Sequence, residues 1–170
     1  MKQAIEKIEA IIEWTGGLAR ICVLAMVLLI AIDVILRYFF SLGPVSLQEM
    51  EWHLLSPIAL IGLSYAMKHQ ADVRVAFLYD PFGPRTKALA DILAGLLTFG
   101  VACLIVWLAI PYVYRSYELL EGSPDPGGLP YRYLLKMFIP IGFSLMALQA
   151  VAVTMASVLE FKQAIGGKNG

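Results

Sequence analysis

The sequence predicts an all-α integral membrane protein: four transmembrane helices, an N-terminal amphipathic interfacial helix, and both termini cytoplasmic. Three observations carry this. Hydrophobic residues make up 59% of the 170 residues and charged residues only 15%, against roughly 25% charged in a typical soluble domain, and the mean hydropathy is +0.74. Long apolar runs recur along the chain at lengths that suit helices. Lysine and arginine fall unevenly between the connections that join those runs. The length suits one membrane domain over 1–170.

A helix crossing a hydrocarbon core of about 30 Å needs about 20 mostly apolar residues. The first candidate covers about 21–42, apolar from Ile21 to Ile32 and then interrupted by Asp33 and Arg37. The second is the charge-free stretch Trp52 to Met67, short at 16 residues, which partial burial of its flanks or a thinner local bilayer would serve. The third covers about 89–114, with no charge from Ile92 to Tyr114, and the fourth runs 137–159 from Met137 to Leu159. These last two charge-free runs are 23 residues each and are the strongest membrane signals in the chain. Barrel strands would be about 10 residues long and would alternate apolar with polar. Continuous runs must instead satisfy their own backbone hydrogen bonds as helices.

Residues 1–14 read differently. Ile5, Ile8, Ile11 and Ile12 recur at helical spacing between Lys2, Glu6, Lys7, Glu9 and Glu13, which predicts an amphipathic helix at the membrane surface. The alternative is an extension of the first span. The segment is not read as a signal peptide. Its apolar run starts late, and Asp33 and Arg37 follow it in place of a small-x-small cleavage site.

With the N-terminus inside, Lys2, Lys7, Arg20, Lys68, Arg74, Arg85, Lys87, Lys162 and Lys168 are cytoplasmic and Arg37, Arg115, Arg132 and Lys136 are outside. Nine against four favours both termini inside. Trp14, Trp52, Tyr112, Tyr114, Tyr131 and Tyr133 then lie near interfaces, as an aromatic belt would. The connection Ala71 to Thr86 is expected to skim the cytoplasmic surface, with Pro81 and Pro84 stopping any long helix. The outer connection, Arg115 to Lys136, contains Gly122-Ser123-Pro124-Asp125-Pro126-Gly127-Gly128-Leu129-Pro130, and its glycines and prolines predict tight turns.

Few residues offer chemistry. The net charge is zero, so no electrostatic case exists for nucleic acid. Cys22 and Cys103 both sit in apolar runs, and no Cys/His cluster suggests a metal. Neither a Ser-His-Asp set nor a phosphate loop is present, so no enzyme activity and no cofactor are expected. His53 and His69 raise the idea of haem, but one helix would hold them about 24 Å apart, too far to clamp one iron.

Asp33 and Arg37 stand four apart on one helix face. Asp33 lies about 18 Å along the first span at 1.5 Å per residue, where an ionisable group is costly and faces protein or water. It reads either as part of a proton or substrate relay or as an ion pair that fixes helix packing against a partner. A relay needs further ionisable groups at that depth, and the other spans offer only neutral Ser56, Ser64, Thr98 and Gln149, which favours packing. Glu49 and Glu51 precede the second span. Ser46-Leu47-Gln48-Glu49 matches the S-x-x-E capping box, and either acid could also pair with Arg37 or with another subunit.

These pieces together resemble a known family. Asp33-Val34-Ile35-Leu36-Arg37-Tyr38-Phe39-Phe40 ends the first helix and Ser46-Leu47-Gln48-Glu49-Met50-Glu51 opens the second. Asp72-Val73-Arg74-Val75 follows the second helix. The Gly122 to Lys136 region, then Pro140 and Gln149, complete the pattern over nearly the whole chain. In this order the chain is similar to the small membrane subunit (DctQ-like) of tripartite ATP-independent periplasmic, or TRAP, transporters. The family often carries His and Asp where this chain has Asp72 and Ala76, while Arg74 is retained and is expected to contact partners at the cytoplasmic loop.

The resemblance implies a transport role. A periplasmic binding protein captures an organic acid, and a large permease subunit moves it inward on an ion gradient, usually sodium. The small subunit is then a fixed scaffold in the bacterial inner membrane, with the large permease, the binding protein and the lipid bilayer as its partners. Two readings of other classes stand beside it: a haem- or quinone-binding anchor of a redox complex, and a small homo-oligomeric channel.

Overall fold

The computed structural model describes residues 1–71 and 81–166. The described chain is helical, with α1 at Lys2–Phe40, α2 at Val45–Lys68, α3 at Pro84–Glu118 and α4 at Arg132–Gly166. Three of them, α1, α3 and α4, are long and apolar enough to cross a membrane. The polar first turns of α2, with Gln48, Glu49, Glu51 and His53, leave it less apolar than the rest.

Residues 1–14 do not form a separate helix. They run into the first span as one 39-residue helix, about 58 Å long at 1.5 Å per residue. Gly16-Gly17 could have broken it, but Gly16 serves close packing instead. A Cβ on it would lie 2.2 Å from Cδ2 of Tyr65 on α2. Part of the isoleucine face turns into the bundle: Ile12 is fully buried in a cluster with Ala19, Ile61 and Leu145, and Ile8 packs against it, while Ile11 stays 47% exposed. Contact with neighbouring helices thus accounts for Ile8 and Ile12 in the periodicity that suggested a surface helix.

Helix α1 ends at Ser41, whose left-handed backbone (φ 53°) lets the following chain reverse. The Leu42 N–H returns to the Leu36 carbonyl at 3.2 Å, and four residues later α2 runs antiparallel to α1. Pro44 caps α2 with extended backbone, and Gly83-Pro84 opens α3 with proline at a first-turn position that needs no donor.

The packing is asymmetric. Helices α1, α2 and α4 pack on one another, while α3 lies along α4 as its one extensive helical partner. On α3 the buried residues are Ala88, Gly95, Ala102, Ala109 and Ser116, one every seventh position. A repeat of seven keeps one narrow stripe facing a neighbour, and small residues there let two backbones approach closely. At Gly95 a Cβ would fall 2.2 Å from Thr154 Oγ1 and 3.3 Å from the Ala150 carbonyl oxygen, both on α4. On another face of α4, Gly142 meets α2, where a Cβ would lie 2.8 Å from the Leu60 carbonyl oxygen. The remainder of α3 is apolar and uncovered, including Leu93, Leu97, Leu104 and Trp107.

Candidate functional site

The expected Asp33–Arg37 pair forms, with Arg37 donating to Asp33 Oδ2 at 2.5 Å. One turn of helix brings the two heads together. Asp33 is only 4% exposed within its own chain, whereas the Arg37 side chain is 55% exposed and lies over Gly43 in the α1–α2 turn. The carboxylate is therefore buried by this subunit, and the guanidinium is the half of the pair open to a neighbour. Asp33 Oδ1 and Gln149 Oε1 are buried without a hydrogen-bond partner among the described residues.

Glu49 does not cap its helix. Helix α2 begins at Val45, one residue ahead of Ser46, and Pro44 at the cap position makes no side-chain capping bond. Ser46 already lies inside the first turn, so its hydroxyl is misplaced for the S-x-x-E exchange. The Glu49 carboxylate reaches across to the 119–131 connection. Its Oε1 accepts a hydrogen bond from the Ser123 hydroxyl, and Oε2 accepts from the Leu129 N–H at 2.5 Å. Arg132, at the start of α4, stands 3.6 Å from Oε1. On its own helix, His53 Nδ1 donates to the Glu49 carbonyl at 2.8 Å. The Ser123 hydroxyl first, then the Leu129 N–H and the Arg132 charge, hold the Glu49 carboxyl below the usual carboxylate range. Glu51 is half-buried and has no ion pair among the described residues.

The connection is built to receive that carboxylate. The Ser123 N–H donates to the Leu129 carbonyl at 3.0 Å, and the Arg132 N–H donates to the Glu121 carbonyl at 2.8 Å, so its two arms are tied. Between them the Gly128 N–H donates to the Asp125 carbonyl at 3.0 Å, across Gly127, whose φ of +83° favours glycine. A Cβ on Gly128 would lie 2.4 Å from Ser123 Oγ and 2.8 Å from Glu49 Oε2, so only glycine lets the loop close on Glu49.

A second acid holds α3 to α4 at the same end. Glu121 accepts from Ser116 Oγ at 2.6 Å and from Lys136 Nζ, and Lys136 also stands over the Tyr112 ring at 4.3 Å. Lys136 first, then Ser116, hold the Glu121 carboxyl below its ordinary value. Tyr117 and Tyr133 meet edge to face at 5.2 Å beside it.

The opposite end is closed as well. Lys68, last in α2, donates to Glu13 at 2.7 Å and to the Glu9 carbonyl at 3.1 Å on α1. His69 Nε2 lies 3.2 Å from the same carboxylate, and Arg20 lies 3.4 Å from its other oxygen. The two histidines are thus engaged at opposite ends of α2. Arg85 at the start of α3 donates to the Ala164 carbonyl of α4 at 3.2 Å. Arg74 lies outside the described residues.

Among the described residues, a cleft of about 230 Å³ between α3 and α4 is lined by Leu97, Thr98, Val101, Ala102, Phe143 and Met146, and none of the charged clusters reaches it. Its walls are apolar apart from Thr98, and a carboxylate there would find no cation among the lining residues. The sites missed by sequence reasoning, the Glu49 socket and the Glu121–Lys136 and Glu13–Lys68 pairs, join residues 15 to 80 positions apart in the chain. The spacing of seven on α3 could have been seen in the sequence.

No curated protein matches the chain at a significant level. Residues 26–160 match the family described as tripartite ATP-independent periplasmic transporters, DctQ component. That match spans the first-helix Asp33–Arg37 pair, the Glu49 socket and the α3 stripe, and the chain belongs to the DctQ family of TRAP transporter small permease components.

Proposed function

We propose that the chain is the scaffold subunit of a TRAP-type secondary transporter that imports an organic acid across the bacterial inner membrane. It assembles with a large permease subunit, which carries the substrate path, and a periplasmic binding protein delivers the acid. The observation that carries this reading is the one-sided packing of α3. A helix attached to its neighbour by one narrow stripe widens the membrane-embedded body without enclosing a path. The charged clusters around Glu13, Glu49 and Glu121 are consumed in tying elements of this chain together, which supports a static part.

In this reading α2 is the fourth span. Its first end lies at the α1–α2 turn, and its last residue, Lys68, pairs with Glu9 and Glu13. It therefore runs beside α1 from about residue 37 to residue 13, some 36 Å at 1.5 Å per residue and longer than the hydrocarbon core. An even number of spans leaves both termini on one side, and the lysine and arginine distribution supports the cytoplasm. The α1–α2 turn and the 119–131 connection are then periplasmic. Arg37, half exposed near that surface, is the charge offered to the large permease, with Asp33 holding it in place.

Purification from native membranes in mild detergent tests the proposal. The expected product is an equimolar complex with a large multi-span permease. Recovery of all the chain by itself, with no permease bound, would end it.

A further inference from the structure

Helix α3 packs along α4 and not along α2, yet the connection leaving α3 crosses to α2 before entering α4. The crossing ends on one side chain, Glu49, which is 9% exposed and has both carboxylate oxygens engaged. The contacts are specific in shape. Two donors of the connection, the Ser123 hydroxyl and the Leu129 N–H, converge on the two oxygens, and Gly128 leaves room for the acid. The connection is also tied to itself, Ser123 to Leu129 and Arg132 to Glu121, so it moves as one piece. Its two ends hold residues in a costly left-handed backbone, Leu120 at φ 45° and Tyr131 at φ 65°, conformations that surrounding contacts must sustain.

We propose that Glu49 is the anchor of a brace: residues 119–131 form a preformed socket that locks onto this carboxylate and fixes the loop end of the α3–α4 pair against α2. Glu49 is a positioning residue. It holds the loop end of the α3–α4 hairpin against the α1–α2 hairpin, beyond the contacts that α4 already makes with α1 and α2. The use of that rigidity in transport rests on the scaffold reading, whereas the brace itself belongs to this chain.

The test uses the full chain in lipid nanodiscs, with Cys22 and Cys103 replaced by alanine and spin labels at Leu42 and Asp125. The unsubstituted acid is expected to give one narrow distance distribution, and the amides of Ser123, Asp125, Gly128 and Leu129 should exchange slowly. Glu49→Gln should broaden the distribution and speed exchange of those amides about tenfold or more, with exchange of the α3 and α4 helices unchanged. Ser123→Ala should show a smaller change of the same kind, and Glu51→Gln none. A narrow distribution and slow exchange in both Glu49→Gln and Ser123→Ala would overturn the brace. In a second arm, Glu49→Gln is co-expressed with the large permease. Reduced uptake with normal complex yield is expected, and full uptake with a loosened loop would remove the brace from the transport mechanism. Failure of even the unsubstituted chain to bind a permease would strike the scaffold reading and leave the brace standing.

Discussion

Helices α2 and α3 present a sharp contrast. The first is the more polar, yet both α1 and α4 pack on it and both its ends are pinned by charge: Glu49 at one, Lys68 at the other. The second is strongly apolar, yet it touches α4 through one stripe of small residues and leaves most of its bulk uncovered. In water this would be reversed, because the apolar helix would be the buried one. In lipid the apolar helix gains little by burial, and contact depends on shape and on polar groups that the bilayer cannot satisfy. Exposure on α3 is therefore the expected condition of a helix in a bilayer, and the helix with two neighbours is the one whose polar ends need partners.

Substitutions at the contacts separate the two kinds of packing. The largest effect is expected at the helix with two neighbours. Gly142→Ala would press a methyl group onto the Leu60 backbone, at 2.8 Å from its carbonyl oxygen, and backbone cannot swing aside as a side chain can. It should cost about 1–3 kcal/mol, read as a lowered midpoint in mixed-micelle unfolding. Gly62→Ala is the control, since a Cβ there meets nothing within 4 Å, and its stability should stay at or above that of the native chain.

Next comes the stripe. Ala102 is 1% exposed, and Ala102→Leu should split α3 from α4 at a cost of about 1–3 kcal/mol. Leu104→Phe, at a position 52% exposed on the uncovered face, should leave the same unfolding midpoint in place. Equal effects at 102 and 104 would mean that α3 packs through more than its stripe.

The charged ends predict a pH dependence. Glu49 and Glu121 have folded pKa values below the ordinary carboxylate value of roughly 4.3. A depressed carboxylate stabilises the folded loop fully above its unfolded pKa, and that contribution disappears as pH falls through the folded value. Protection of amides 119–131 from exchange, corrected for intrinsic rates, should be flat from about pH 8 to about pH 5 and fall only in stronger acid. The groups facing Glu49 are Arg132 from α4 and His53 on its own helix. Loss of protection near neutral pH would contradict the assignment to these two carboxylates.

The smallest effect on the isolated fold is expected at the intramembrane pair. Asp33→Asn keeps the shape but removes the charge that holds Arg37. It should reduce the yield of complex with the large permease while leaving ion stoichiometry in the residual transport unchanged. Normal assembly with altered stoichiometry would move the pair from packing to coupling.

Much of the fold could be read directly from the residues. Uninterrupted apolar runs mark the cores of α3 and α4, and the i, i+4 spacing of Asp33 and Arg37 is enough to foresee their bond. Two kinds of feature were out of reach. The partners of Glu49 lie some 80 residues away, and no local pattern announces a loop that folds back over another helix. The N-terminal isoleucines show the second limit: an amphipathic stripe specifies that one face is covered, but a bilayer surface and a neighbouring helix satisfy it equally. The seven-residue repeat of small side chains was legible in principle, but hydropathy scarcely distinguishes alanine on a contact face from alanine facing lipid.

The most direct measurement is the composition of the complex isolated from native membranes. The scaffold account predicts this chain in equimolar association with a large permease, and uptake that requires both. A chain found only by itself, or one that moves an organic acid in liposomes without a partner, would contradict it.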